Sequence, residues 1–489
     1  MTYFLWALPT LVLLAAIISG RCSTTAASLM GLATTVPIAL FWGPLAFDSN
    51  VLFSALLRGL WIGAVIAPYI LGGLLFWQVA ARNPAGSPSA PADKTSCSSG
   101  TEIGRRRLVF FACFLLGPFA ESATGFGVGM LGTVMMIRHL GFAPRHLMIF
   151  ALMSQTVIPW GAMSSGTLLA AAYARIPPEL LGVYCVGPVA LLMSVWLPLF
   201  WRTARAAGIA APLTENVREV AWIGTCMALL ALGTMYLGPE TALLAAYGPI
   251  ILVRYLLDFR PNRAQAKEGF RKVLPYVLLI GGLALVRLWP EAKRLLSSLA
   301  RLTPYEDLPA WSPFFHAGSW LLVGALCILI ARRQITYLRQ EVRTAWSTGQ
   351  HAVLTVFTFS MMAEVLTASG ISGAFATLTF DTLGEKALLL TPVLSGTFGV
   401  LTNSGNPANS LFLPSQVALA LQAGLSIPAV ASLQQVSGMS MGLFSPVRMS
   451  IAAGLAKGHG QERAVYLEIL PFALVALCLL MGVAIWVIH

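Results

Sequence analysis

The chain has 489 residues, of which 57% are hydrophobic and only 10% charged. This composition excludes an ordinary water-soluble domain, and its continuous apolar runs of about 20 residues predict membrane-spanning helices rather than the alternating strands of a β-barrel. The net charge of +12 does not indicate nucleic-acid binding, because Lys and Arg cluster in short loops between the apolar runs.

Apolar segments of spanning length recur from one end of the chain to the other. The predicted spans are 3–19, 24–42, 51–81, 147–174, 180–201, 219–237, 240–257, 272–290, 314–331, 346–368, 427–455 and 466–488. Two further segments, 108–138 and 387–423, are too long for one span, and "ESATGFG" and "LTNSGNPANS" interrupt them. Short arms around a polar tip are typical of a re-entrant hairpin. The predicted fold is therefore an all-α polytopic membrane protein with about 12 transmembrane helices and two re-entrant hairpins.

The basic loops predict the orientation. If 108–138 turns back within the membrane, most basic loops share one side. The residues on that side are Arg21, Arg82, Arg105 to Arg107, Arg138, Arg145, Arg202, Arg205, Arg260 to Lys272, Arg332, Arg333, Arg339 and Arg343. The positive-inside rule makes that side the cytoplasm, which places both termini outside a cell inner (plasma) membrane.

The order of spans and hairpins predicts an internal repeat. Three spans, a hairpin and two spans occur in 1–206 and again in 269–489, and two linking spans lie in 207–268. The second copy starts from the opposite face. Inverted-topology repeats of this kind are typical of secondary transporters with a binding site near the membrane midplane.

The two hairpin tips and the broken span that follows each hairpin are the predicted substrate site. Small residues allow close backbone approach, and helix N-termini favour an anion such as a carboxylate. The candidate residues are Ser122, Thr124, Gly125, Phe126, Gly127, Gln155, Thr402, Asn403, Ser404, Asn406, Asn409, Gln435, Ser437 and Arg448. The alternative is that the small residues only permit tight helix packing.

Three charged residues within apolar segments have alternative interpretations. Glu121 and Glu364 are candidates for proton coupling, because an acid at membrane depth usually marks an ion path. Glu121 could instead be a hydrogen-bonded anchor, and Glu364 could lie near the outer surface. Arg448 either pairs with a substrate carboxylate or extends to the cytoplasmic surface.

The segments "GPFAESATGFG" and "LTNSGNPANSLF", followed by "LGFAP" and "FSPVRMSIAAGL", resemble the L-lactate permease family. That family has an acidic residue before "GAAGFG", a motif of the form "TGS-x-T-x-S-N", and "SP" before a run of small residues. The likeness extends over most of the chain, including "RKVLPYVLL" near Arg271. The resemblance implies proton-coupled uptake of a small 2-hydroxy monocarboxylate, such as lactate or glycolate, across the bacterial inner membrane.

Several residues depart from the family pattern. Ser122 and Thr124 replace smaller residues, and Asn406 with Pro407 stands where the family has hydroxyl residues. "AMSSGTL" lacks the usual Gly-Ile-Pro, and Arg448 stands where an uncharged residue is commoner. These departures lie at the predicted site, so the resemblance supports the fold more firmly than the substrate.

The sequence therefore predicts a secondary active transporter that imports a small organic anion by proton symport with alternating access. Sodium coupling is the alternative, since Asn and Ser oxygens can bind that ion, and a non-transporting membrane subunit of a larger complex is another. No catalytic motif is found, so an enzyme is not expected. No cofactor, resident metal or nucleic acid is predicted. The expected partners are a small carboxylate and the lipid bilayer, and a homo-oligomer remains open.

Overall fold

A computed structural model of the chain describes residues 2–82, 101–125, 127–157, 160–259 and 261–489. Within these ranges the chain forms helices and one isolated bridge, between Leu302 and Trp311. The described helices long and apolar enough to cross a membrane number nine: Thr24–Trp42, Ser49–Ala81, Glu102–Thr124, Pro178–Ala206, Leu213–Leu237, Pro239–Asp258, Arg263–Leu288, Ile335–Ala368 and Glu462–Ile488. The predicted all-α polytopic membrane fold is confirmed.

The helices fall into two series joined by a helical pair. The first series is α1 (Thr2–Ile18), α2 (Thr24–Trp42), α3 (Ser49–Ala81), α4 (Glu102–Phe111), α5 (Gly117–Thr124), α6 (Val128–Ile137), α7 (Pro144–Met153), α8 (Ser165–Ala174) and α9 (Pro178–Ala206). The joining pair is α10 (Leu213–Leu237) and α11 (Pro239–Phe259). The second series is α12 (Arg263–Leu288), α13 (Pro290–Ser298), α14 (Ala317–Ala331), α15 (Leu338–Ala368), α16 (Ile371–Leu383), α17 (Leu390–Thr402), α18 (Asn406–Ala423), α19 (Ile427–Met441), α20 (Pro446–Ala456) and α21 (Glu462–Ile488).

The first hairpin consists of α4, a π-helical turn at Ala112–Leu116, α5 and the returning helix α6. Its arms are antiparallel. Near the tip, a methyl group at Gly129 would overlap the Gly117 carbonyl oxygen. Further down, Thr133 Oγ1 donates to the Ala112 carbonyl at 3.0 Å, and at the base an Arg105 guanidinium nitrogen donates to the Leu140 carbonyl at 2.8 Å. The hairpin is longer than the predicted 108–138, because α4 begins at Glu102.

The second hairpin consists of α17 and α18, which also run antiparallel. The Phe398 and Phe412 rings lie edge to face with centroids 4.8 Å apart, and Thr391 Oγ1 donates to Gln416 Oε1 at 2.8 Å. Its tip turns at Asn403, which has a left-handed φ of 59°.

A helix interrupted at its centre follows each hairpin. The first is α7, turns at 154–157, a 3₁₀ turn at Ala162–Ser164 and then α8. The second is α19, a 3₁₀ turn at Gly442–Phe444, an extended Ser445, and α20. Each half of one broken helix packs against a half of the other, α7 against α20 and α8 against α19. A methyl group at Gly458, just beyond α20, would lie 2.6 Å from Met148 Sδ of α7, whereas one at Gly166 of α8 would lie 2.9 Å from Gln435 Nε2 of α19. Two broken helices therefore form the buried centre, beside both hairpins.

The outer helices leave most of their side chains at least partly exposed, as expected for lipid contact. This applies to α10, α12 and α21, which bury the smallest shares of their surfaces among the candidate spans of the described chain. In contrast, all residues of α8 are buried. The polar residues of the broken helices are thus surrounded by protein rather than by lipid.

Two short helices were not predicted. The surface helix α13 has Pro290 at its start and Glu291 in its first turn, which are standard helix-start signals. The 13-residue α16 is too short to be recognised as a span. In addition, Arg106 and Arg107, which were assigned to a loop, lie in α4 and pair with Glu219 and Glu215 of α10 at 2.8 Å each.

The contact between α17 and α19 depends on Gly399, because a methyl group there would overlap the Gly438 carbonyl oxygen. We expect Gly399→Ala to lower the free energy of unfolding by about 1–3 kcal/mol, the usual cost of overpacking. Thermal unfolding in detergent measures this. Gly482→Ala is the matched control, because a methyl group there meets nothing within 4 Å. Equal melting temperatures for both variants would contradict the predicted contact.

Candidate functional site

Arg448 lies where elements of both series meet. It is in the first turn of α20. Ser445 caps the N-terminus of this helix, because its Oγ accepts from the Val447 N–H at 3.2 Å. A methyl group at Gly442 would lie 3.9 Å from Arg448 Cζ and 3.4 Å from the Gly399 carbonyl oxygen of the second hairpin. One turn later, Ile451 lies against Gly127 at the tip of the first hairpin. The guanidinium is therefore close to the second hairpin, and the helix that carries it also contacts the tip of the first.

The Arg448 guanidinium has no hydrogen bond or ion pair with any residue that the structure describes. The side chain is only partly exposed, and Glu121 is the acidic residue whose charge acts on it. A largely desolvated cation without a partner is costly, and a planar guanidinium matches a carboxylate in shape and charge. Arg448 is thus suited to bind an anionic ligand.

Glu121 does not pair with Arg448, because its carboxylate binds the tip of its own hairpin. Its Oε1 accepts from the Gly127 N–H at 3.0 Å and its Oε2 from the Gly129 N–H at 2.8 Å. Gly127 has no side chain to cap α6, so Glu121 takes that function and places negative charge at the positive end of the helix dipole. These contacts are those of the anchor that the sequence analysis gave as the alternative. These contacts do not test whether Glu121 takes part in proton coupling.

The other predicted residues of the first hairpin bond locally. Ser122 Oγ donates to the Phe119 carbonyl at 2.9 Å, and Thr124 Oγ1 to the Ala120 carbonyl at 2.8 Å. Gly125 and Gly127 have φ values of 73° and 82°, a left-handed region that glycine adopts without strain. These residues shape the tip. Phe126, also predicted for the site, lies outside the described residues.

Polar side chains of the second hairpin and of α19 lie together, and we call them the polar cluster. Asn409 Nδ2 donates to Gln435 Oε1, Ser404 Oγ accepts from the Asn406 N–H at 3.2 Å, and Thr402 Oγ1 donates to the Ser404 carbonyl at 2.7 Å. Several buried acceptors and hydroxyls in and around this cluster have no hydrogen-bond partner among the described residues: Oδ1 of Asn403, Asn406 and Asn409, Oε1 of Gln434, and Oγ of Ser437 and Ser440. Buried polar groups usually have partners, so these atoms are available to a ligand.

Gln155 belongs to the same buried centre but not to the same bonded cluster. Its Nε2 donates to Ser154 Oγ at 3.2 Å, and its Oε1 has no partner among the described residues. Gln434 and Ser440 were not predicted. Their neighbours in "QQVSGMSMG" were, so the helical spacing of that segment could have indicated them.

Comparison with known proteins gives a distant similarity. No family model matches the chain. It is 24% identical over 419 residues to the L-lactate permease of Escherichia coli strain K12 and 23% identical over 419 residues to that of Salmonella typhi, with 75% of each chain covered in both cases. The chain is similar to the L-lactate permeases. A crystal structure of the Alcanivorax borkumensis YdaH transporter aligns with 88% of this chain and 98% of its own, at 17% identity and a TM-score of 0.36. The sequence identity to the L-lactate permeases confirms, as a distant similarity, the resemblance stated from the motifs.

The residues that depart from the L-lactate permease pattern lie in the region described above. Arg448 is beside both hairpins, and Asn406 has a partnerless oxygen in the polar cluster. Ser122 and Thr124 bond to the backbone of their own helix, so their hydroxyl hydrogens are engaged there. Of the departures, Arg448 and Asn406 are the ones free to change ligand recognition.

Only 5% of the Glu364 side chain is exposed, although the arginines that bind it also bind Asp307, which is 47% exposed. Its Oε2 accepts from Arg58 Nε at 2.9 Å and its Oε1 from an Arg175 guanidinium nitrogen at 2.6 Å. Asp307 binds the same two arginines. We call Arg58, Arg175, Asp307 and Glu364 the ion-pair lock, because they join α3, the end of α8, the 299–316 loop and α15.

The lock also responds to pH at its exposed end. The hydrogen bond from Arg58 lowers the pKa of Asp307 below its ordinary value. The resulting stabilisation is complete above the pKa of the unfolded chain and is lost as the pH falls through the lowered pKa. Asp307 therefore stays charged in mildly acidic solution.

Proposed function

We propose that this protein is a secondary active transporter that imports a small organic anion, a 2-hydroxy monocarboxylate such as lactate or glycolate, by proton symport. Arg448, a cation beside the hairpins that has no partner among the described residues, is the single observation that carries the proposal. The similarity to L-lactate permeases supports this choice of substrate. The inner membrane is the proposed location, with alternating access between two inverted repeats.

In this proposal the substrate carboxylate binds the Arg448 guanidinium. The hydroxyl group of the substrate and the second oxygen of its carboxylate reach polar groups of the second hairpin and α19. These groups, which include Asn406 Oδ1 and Ser437 Oγ, have no hydrogen-bond partner among the described residues. Recognition of a hydroxyl by such groups discriminates against a substrate that lacks it, because they would then remain unpaired.

Glu121 provides the coupling. Its charge acts on Arg448, so an ionised Glu121 competes electrostatically with an incoming carboxylate for that cation. Protonation removes the competing charge and also releases one of the two N–H groups that the carboxylate holds. Proton binding and substrate binding therefore favour each other, as symport requires.

Uptake by purified protein in liposomes tests this function. Labelled L-lactate should accumulate when the lumen is made alkaline relative to the outside, and it should not follow a sodium gradient. Failure to accumulate lactate, glycolate or larger 2-hydroxy acids under either gradient would contradict transport. That result would favour a membrane subunit of a larger complex.

Replacing the proposed proton carrier separates coupling from binding. We expect Glu121→Gln to abolish accumulation driven by a pH gradient while lactate exchange between the two sides continues, because glutamine still bonds at the tip but cannot titrate. The measurement is uptake and counterflow in the same liposomes. Unchanged pH-driven accumulation would reduce Glu121 to the anchor of α6.

Sodium coupling is the second candidate function, and the polar cluster favours it. Asn403, Asn406 and Ser437 contribute oxygens that lack partners among the described residues, and hard cations bind oxygen ligands. Lactate accumulation that follows sodium and ignores the pH gradient would select this alternative.

A further inference from the structure

One exposed side of α9 ends in two arginines. Leu191, Ser194 and Pro198 are exposed at helical spacing, and Arg202 and Arg205 continue the same face through the last turns of the helix. A shallow cavity of about 460 Å³ lies there, lined by Pro198, Trp201, Arg202, Arg205 and Ala206. The face thus changes from apolar to cationic at one end of the bundle.

Neither guanidinium has an ion pair or hydrogen bond with the residues that the structure describes. The nearby acids are already occupied, since Glu219 binds Arg106 and Glu215 binds Arg107. The guanidinium of Arg202 lies 5.9 Å from the centre of the Phe472 ring of α21. The cavity therefore has two positive charges that have no counterion among the described residues.

Trp201 is held rigidly beside these charges. Its indole N–H donates to Glu219 Oε2 at 2.7 Å, and the ring lines the cavity. Tryptophan with arginine is typical of the membrane interface, where aromatic rings lie at the headgroup level. This places the cavity where phosphate groups of lipids are concentrated.

We propose that this cavity binds the phosphate of an anionic phospholipid, with one acyl chain lying along Pro198, Ser194 and Leu191. Two guanidiniums at adjacent turns suit a phosphate, and the exposed apolar face suits a hydrocarbon chain. A soluble phosphate would make only the first of these contacts, which favours the lipid.

The test uses the full chain in detergent, with binding followed by native mass spectrometry and by the melting temperature. Dioleoyl phosphatidylglycerol should stabilise the protein more than dioleoyl phosphatidylcholine does. Arg202→Gln with Arg205→Gln should weaken phosphatidylglycerol binding by about 30-fold, because both basic contacts with the lipid are lost. Arg202→Lys with Arg205→Lys should retain most of the binding.

The matched control removes two exposed arginines elsewhere, with Arg339→Gln and Arg343→Gln on α15. Equal loss of lipid in the control would show unspecific attraction and overturn the proposal. Equal stabilisation by inorganic phosphate at the same concentration would also overturn it, since the site would then recognise a soluble anion. Transport activity is not part of the readout, so this proposal can fail independently of the proposed function.

Discussion

Replacing Arg448 with glutamine is expected to weaken lactate binding by at least about 30-fold, while the protein still folds. Loss of one partner of a buried charge pair usually costs 2 kcal/mol or more, which corresponds to that factor. No bond within the described chain is lost, because the guanidinium has no partner there. Affinity follows from the ligand dependence of the melting temperature.

Two further variants sharpen this prediction. Arg448→Lys keeps the charge but loses the planar fork of donors, so we expect an intermediate affinity. Arg463→Gln removes an exposed arginine from the start of α21 and should leave lactate affinity unchanged. Wild-type affinity in Arg448→Gln would place the substrate elsewhere.

Replacing Glu364 with glutamine is expected to lower the free energy of unfolding by about 3 kcal/mol. The change leaves Arg58 and Arg175 sharing Asp307 alone, and breaking a buried ion pair from one side is strongly destabilising. We expect a clear fall in melting temperature in detergent, with lactate affinity changed less than about threefold because the lock is separate from Arg448.

Glu306→Gln is the control for the lock, since this exposed neighbour of Asp307 forms no ion pair with the described residues. This variant should have the same melting temperature as the wild type. If Glu364→Gln also melted with the wild type but lost proton-driven uptake, Glu364 would be a proton carrier, as one reading of the sequence held.

The sequence predicted the elements that depend on local signals. Spanning helices follow from continuous apolar runs, and the tips at Gly125 and Asn403 follow from polar and glycine-rich interruptions in segments too long for one span. The division into inverted repeats stays a prediction. It is compatible with the presence of one antiparallel hairpin and one broken helix in each series.

The partners of the charged residues could not be predicted, because they depend on distant parts of the chain. Glu364 binds Arg58 and Arg175, which are 306 and 189 positions away. The bond between Glu121 and Gly129 spans only eight positions, but it requires the chain to reverse direction within them. Periodicity and composition do not specify such contacts.

The central claim is that a carboxylate on Arg448 and a proton on Glu121 bind together. Calorimetric titration of the purified protein with lactate, in buffers of different ionisation enthalpy, measures the number of protons bound with each substrate. We predict uptake of about one proton per lactate by the wild type and none by Glu121→Gln, as required for linked binding. Lactate binding by the wild type without proton uptake would contradict the account.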